Sequence, residues 1–100
     1  MPKVELHIYP PLSQQMSSKT VGALILEQEI EQGETLVNLL VRLANGNHEA
    51  WQGIFDAETH RIQPAIMAVL NGTVLARSEA PQTLLSDSDQ IAFVFVTGGG

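Results

Sequence analysis

The end of the chain constrains the fold most. Ile91 to Val96 is a run of six apolar residues, all β-branched or aromatic except Ala92, and it is followed by Thr97 and three glycines. The run is too short for a helix of its own, and the polar turn Asp87-Ser88-Asp89 precedes it. It therefore predicts a strand buried on both faces. Beyond it the chain has no side chains to pack: Gly98, Gly99 and Gly100 lack a Cβ and lose more entropy on ordering than any other residue. Two readings of this tail stand side by side. One is a frayed or appended terminus. The other is a working carboxylate on a stalk slim enough to enter a partner's channel, reaching roughly 13–14 Å from the strand if Thr97 to Gly100 is extended.

The rest of the chain supplies partners for that strand. Lys3 to Tyr9 alternates, with Val4, Leu6 and Ile8 on one face and Glu5 and His7 on the other, which predicts a half-buried strand. Pro10 and Pro11 end it, and Leu12 to Lys19 reads as a polar loop. Thr20 to Glu29 predicts a second strand with Val21, Ala23 and Ile25 on one face, most simply paired with the first as an antiparallel hairpin. Thr35 is a fitting N-cap, and Glu34 lies beside the positive end of the helix dipole. The helix then runs from Leu36 to about Ala44, with Leu36, Leu39, Leu40 and Leu43 forming one apolar stripe and Asn45-Gly46 as its stop. His48 to Phe55 predicts a short helix presenting Trp51, Ile54 and Phe55, and Asp56 to Gln63 a loop. Ala65 to Leu70 reads as a strand, Asn71-Gly72 as a tight hairpin turn and Thr73 to Ala76 as the returning strand. Ser78 to Thr83 is loop. A hairpin, one main helix and further strands make an α+β domain, with the helix packed across a mixed sheet of about four to five strands. If the first and last strands are adjacent and parallel, joined by a right-handed crossover, the fold is the β-grasp arrangement. The domain would occupy residues 1–97 and the flexible glycine tail residues 98–100.

Composition limits the function classes. One hundred residues, 44% hydrophobic and 16% charged, suit one compact domain. A formal net charge of −6 with only five Lys and Arg argues against nucleic acid, which demands clustered cations. It suits docking to a basic protein surface. The chain has no cysteine, which removes disulfides, thiolate catalysis and Cys-ligated zinc. No stretch has signal-peptide or transmembrane character, so the expected location is the cytoplasm, with no membrane partner.

Four stretches carry a family likeness. They are Gly33-Glu34-Thr35-Leu36 opening the leucine-rich helix, Arg61-Ile62-Gln63-Pro64 leading to Val69-Leu70-Asn71-Gly72, Leu84-Leu85-Ser86-Asp87-Ser88-Asp89, and the terminal glycines. In this order and spanning nearly the whole chain, they resemble the ubiquitin-like sulfur carriers of the MoaD and ThiS type, which include the molybdopterin synthase small subunit and the thiamine sulfur carrier. The resemblance implies that the Gly100 carboxylate is adenylated with ATP by a partner similar to ubiquitin-activating enzymes. Sulfur then replaces the adenylate, and the resulting thiocarboxylate is delivered to an acceptor such as the large subunit of molybdopterin synthase. Acyl-adenylate formation gives a poor electrophile a good leaving group. The carrier itself would be no enzyme and would bind no cofactor, with ATP used by its activating partner. Gly98 and Gly99 would allow entry into partner sites. The same terminus would serve a ubiquitin-like modifier, or a carrier for thiamine, cysteine or tRNA thiolation. A plain β-grasp interaction domain with inert glycines is the third reading. The sequence departs from the family in ending with three glycines rather than two, in longer loops at 10–19 and 47–63, and in placing Ser88 where a turn glycine is usual.

Other residues invite weaker readings. Phe93 and Phe95 share a strand face with Ile91 and are expected in the core. Either one, if exposed beside the tail, would be an anchor for the activating enzyme, because buried aromatics dominate interface energetics. His7, His48 and His60 lack the spacing of a metal site, and none is expected. Glu27, Glu29, Glu31 and Glu34 read as a solvated edge. Asp87 and Asp89 have the look of an acid–base pair but, in a turn, are expected to accept backbone hydrogen bonds.

Overall fold

Along the chain the elements are β1 (Lys3–Ile8), α1 (Leu12–Met16), β2 (Leu24–Glu29), α2 (Leu36–Gly46), α3 (His48–Trp51), β3 (Phe55–Asp56), β4 (Arg61–Ile62), β5 (Ile66–Leu70), β6 (Thr73–Val74), a 3-10 turn at Ala80–Gln82, and β7 (Gln90–Phe95). The structure is a computed structural model and describes residues 2–10, 12–16, 22–76 and 78–96. Five strands form one sheet in the order β2-β1-β7-β5-β6. β1 is antiparallel to β2 and parallel to β7, with Leu6 opposite both Leu26 and Ile91. The first and last strands are thus the adjacent, parallel centre of the sheet, as the β-grasp reading requires.

The core follows from phase. Val4, Leu6 and Ile8 of β1, Ile66 and Ala68 of β5, and Ile91 and Phe93 of β7 are buried in one cluster with Leu36, Leu39, Leu40 and Ala44 of α2. Each fully buried Leu or Ile contributes about 1.5–3 kcal/mol relative to exposure. Thr35 caps α2 by accepting from the Asn38 amide at 3.3 Å. The stripe continues through Ala44 rather than Leu43, which is half-buried. Asn45-Gly46 does not stop the helix: Asn47 does, donating its amide to the Leu43 carbonyl and capping α3 by accepting from the Ala50 amide. Trp51, Ile54 and Phe55 are buried as expected.

Five further expectations of the fold need correction. First, β7 is buried on one face only: Ala92 and Val94 are half-exposed, because no described helix covers the second face of the sheet. Second, the inward face of β2 is Leu24 and Leu26, and Ile25 is 58% exposed. Both sets of positions are apolar in sequence, and the fully packed Ile30 settles the phase. Thr20 and Val21 lie outside the described residues. Third, the loop after β1 contains α1, with Leu12 and Ser13 buried and the Ser13 hydroxyl donating to the Gly22 carbonyl at 2.7 Å. Fourth, Asp56 to Gln63 holds a small antiparallel hairpin, β3 with β4. Asp56 Oδ1 closes its turn by accepting from the Glu58 and Thr59 amides at 2.9 and 3.3 Å, and these bonds lower the Asp56 pKa. A carboxyl with a lowered folded-state pKa adds stability above its unfolded pKa, and loses it as pH falls through the folded value.

The fifth correction concerns Glu34, which is 9% exposed and not part of a solvated edge. Its Oε1 accepts from the Glu31 amide at 3.0 Å and from Arg42 at 2.8 Å, and the same Arg42 nitrogen donates to the Glu29 carbonyl at 3.1 Å. The pair ties the end of β2 to α2. Glu34→Ala is expected to cost about 2–3 kcal/mol in a urea titration, because it removes charge-assisted bonds to a buried acceptor. Arg42→Ala is expected to cost at least as much, since it leaves the buried Glu34 carboxylate without its cation, whereas an Arg42 left alone is 45% exposed and is solvated by water. Equal and negligible losses would show the network to be ornamental.

Candidate functional site: the neck of the C-terminal tail

The sequence-predicted site residues separate sharply. Gly98, Gly99 and Gly100, with Thr97, lie outside the described residues, and the neck that presents them is Phe93 to Val96. Phe93 is completely buried and meets Trp51 edge-on, with ring centroids 6.4 Å apart. As a partner-binding residue it is a correction: α2 and α3 have claimed its ring. Phe95 keeps the same strand phase but is 42% exposed. The reason is the length of β1. The parallel pairing ends at Ile8 opposite Phe93, with Tyr9 donating to the Phe93 carbonyl at 3.2 Å, so Phe95 and Val96 overhang it.

On its other side the neck is held. Phe95 pairs with Ile66, and the Val96 amide donates to the Ala65 carbonyl at 2.7 Å. The tail therefore starts from a fixed point. A cleft of about 160 Å³ flanks Val96, lined by Ile62, Pro64, Ile66, Met67, Leu75 and Ala80 among others. Exposed Val96 and Phe95 and half-buried Met67 give the exit an apolar collar.

The uncovered face of the sheet continues from this collar. Register places Met67 opposite Val94, and Val69 opposite both Ala92 and Val74, all on the face away from α2. Val74 is 58% exposed. Towards β1 and β2 the face turns charged, with His7 Nε2 at 3.1 Å from Glu5 Oε1 and Lys3 Nζ at 3.2 Å from Glu27 Oε1. Sequence reasoning missed Met67, Val69, Val74 and Val94. For Val94 the signal was the strict alternation Ile91, Phe93, Phe95 against Ala92, Val94, Val96, and for Met67 and Val69 that of Ile66, Ala68 and Leu70 against them, but an unbroken apolar run conceals which half faces out.

Three of the four family-like stretches prove to be structural fasteners. The Glu34 and Thr35 segment docks on the Leu84-Leu85 segment: Leu85 donates to the Glu34 carbonyl at 2.9 Å, Leu36 to that of Thr83 at 2.9 Å, and Thr35 bridges Leu84. Asn71 and Gly72 take φ of 50° and 85°, making the tight turn, while the Asn71 side chain donates from Nδ2 to Asp89 Oδ1 and accepts at Oδ1 from the Gln90 backbone amide. Asp87 accepts from the Lys3 amide and Asp89 from that of Ser86, at 2.9 and 2.8 Å. These carboxylates serve the turn rather than acid–base chemistry. Ser88 sits between them at φ 72°, which explains why glycine suits this place. Ser88→Gly is expected to stabilise the domain by about 0.5–1 kcal/mol, the left-handed strain relieved less the extra chain entropy, read as a higher urea midpoint. A loss of stability would mean that the serine hydroxyl has a role in the turn.

Among the described residues no group of three His, Asp or Glu is placed to hold a metal ion. No described helix is long and apolar enough to cross a membrane.

Comparison with known proteins gives one family match and several likenesses of fold. The sequence model of the ThiS family matches residues 14–100. No protein of curated function matches the sequence. The fold is shared with small archaeal modifier protein 1 from Haloferax volcanii, at TM-score 0.71 and 13% identity, covering 97% of this chain and 100% of that one. The Methanosarcina acetivorans protein of that name gives 0.68 and 23%, over 100% and 98% of the two chains. A Pyrococcus furiosus protein described as molybdopterin converting factor, subunit 1, gives 0.65 and 14%, over 97% and 100%. At these identities the likeness is one of fold.

Proposed function

From the premise that the chain belongs to the ThiS family, we propose that it is a sulfur carrier working through the carboxylate of Gly100. The observation that carries this reading is the division of labour among the family-like stretches. Three of them fasten the fold to itself, and the glycines begin two residues past Val96, where a central strand leaves the sheet through an apolar collar. A carboxylate oxygen attacks the α-phosphate of ATP on an activating enzyme, releasing pyrophosphate. A sulfur nucleophile then attacks the acyl carbon, and AMP departs with the electron pair of the broken bond. The chain supplies the acyl group, and its partners supply the catalytic groups. Gly98 and Gly99 give the stalk its slimness. Phe95, rather than Phe93, is the aromatic anchor, with Met67, Val69, Val74 and Val94 extending the docking surface. The acceptor we propose is the large subunit of a molybdopterin synthase, a choice that the fold shared with the Pyrococcus furiosus protein supports.

The likeness to two small archaeal modifier proteins favours a second reading, attachment of the same terminus to lysines of other proteins. One experiment separates the two. The purified chain is incubated with ATP, a sulfur donor and the host's activating enzyme, and the products are read by mass. Thiocarboxylate that is consumed by the acceptor subunit supports the carrier. Isopeptide conjugates in lysate, lost on deleting Gly99 and Gly100, support the modifier. Neither product would leave the glycines without chemistry.

A further inference from the structure

We infer that the free edge of β2 is a second docking site, taking an extended, basic segment of a partner protein as a sixth strand. β2 is the terminal strand of the sheet. The direction of its backbone groups follows from one bond: Ile30 donates to the Pro2 carbonyl at 2.9 Å. Pro2 and Ile30 are therefore a hydrogen-bonded antiparallel pair, and such pairs recur at every second residue. Gln28, Leu26 and Leu24, opposite Val4, Leu6 and Ile8, turn their amides and carbonyls towards β1. Ile25, Glu27 and Glu29 turn theirs outwards. Arg42 confirms the direction, since it reaches the Glu29 carbonyl from outside the sheet at 3.1 Å. It leaves the Glu29 amide and both groups of Ile25 and Glu27 without partners among the described residues.

Charge and shape define the occupant. The side chains on the open face at these positions are Ile25, 58% exposed, and Glu27 and Glu29, with Lys3 ion-paired to Glu27 beside them. Two copies of β2 brought edge to edge would set these carboxylates against one another, and facing like charges destabilise a strand pair. The acidic edge thus rejects self-association and accepts a strand of opposite sign. The inward row adds a second requirement. Leu24 and Leu26 are only half-buried, since no described strand lies beside them on the edge. The complementary segment alternates Lys or Arg on the open face with Val or Ile on the core face. Main-chain bonds give its affinity and the alternating side chains its specificity. β2 lies two strands from β7, about 10 Å away, so a partner can hold this edge while the C-terminal tail is engaged elsewhere.

The test uses the whole ¹⁵N-labelled chain and two capped nine-residue peptides, one alternating Val and Lys, the other Val and Glu. At low salt the Val/Lys peptide is expected to shift the amides of Ile25, Glu27 and Glu29 first and to bind about tenfold or more tighter than the Val/Glu peptide. Glu27→Lys together with Glu29→Lys, both exposed positions, is expected to invert that preference with the spectrum otherwise unchanged. Ile25→Pro removes an outward amide without breaking the β1 ladder, and is expected to abolish binding of either peptide. Shifts centred elsewhere, equal affinity for the two peptides, a preference unmoved by charge reversal, or no binding would each overturn the proposal. Deleting Gly99 and Gly100 is expected to leave the titration unchanged, which separates this edge from the tail chemistry.

Discussion

Phe93→Ala is expected to remove about 3–5 kcal/mol of stability, while Phe95→Ala removes about 1 kcal/mol. The two residues are identical in type, two positions apart on one strand face. Their difference is one of place: Phe93 is covered by Trp51 and the core, and Phe95 overhangs the end of β1 at 42% exposure. Truncating a buried aromatic loses its transfer free energy and leaves a cavity. Against a typical total of about 5–15 kcal/mol, such a loss leaves the domain marginal. Truncating Phe95 uncovers little. Its expected cost appears in affinity for the activating enzyme, at about tenfold or more, since an exposed aromatic beside the reacting terminus is the type of residue that dominates an interface. Urea titration and a binding isotherm on each variant separate the effects. A Phe95→Ala protein that binds normally would remove the anchor from the account.

Deleting Gly99 and Gly100 is expected to abolish adenylation while shifting unfolding by less than about 0.5 kcal/mol. The described contacts of the domain end at Val96, so removing the last two residues draws the terminal carboxylate back to Gly98, about 7 Å nearer the sheet and out of reach of a partner's channel, and takes away none of those contacts. Gly99→Val is the informative companion. It keeps the carboxylate and adds a branched side chain to the stalk, and is expected to lower the adenylation rate steeply with the fold intact. A Gly99→Val protein adenylated at the normal rate would mean that no narrow channel receives the tail. A large loss of stability on deletion would mean that the glycines pack on the domain.

Much of this fold can be read from sequence, where physics leaves one solution. The alternation of Val4, Leu6 and Ile8, the Thr35 cap, the leucine stripe of α2 and the Asn71-Gly72 turn each admit one local structure. They leave the pairing of β1 with β7 conditional, and the register supplies it. The misreadings share a cause. In β2, apolar residues occupy both phases, and only Ile30, beyond the strand, decides between them. In β7 every residue is apolar, so the missing cover over Ala92 and Val94 has no local signature. Glu34 looks like its neighbours Glu27, Glu29 and Glu31, and it differs only because α2 brings Arg42 to it. As for the site, the glycines announce themselves, but which phenylalanine stands at the exit depends on where β1 stops. That is a property of the pairing, not of either phenylalanine.

The central claim, that Gly100 is the reacting group of a sulfur carrier, is met most directly by the intact mass of the protein purified from its native host. The account predicts a species in which one oxygen of the terminal carboxylate is replaced by sulfur, absent from a variant lacking Gly99 and Gly100. A terminus found only as carboxylate, and still so after incubation with ATP, a sulfur donor and the host's activating enzyme, would contradict it.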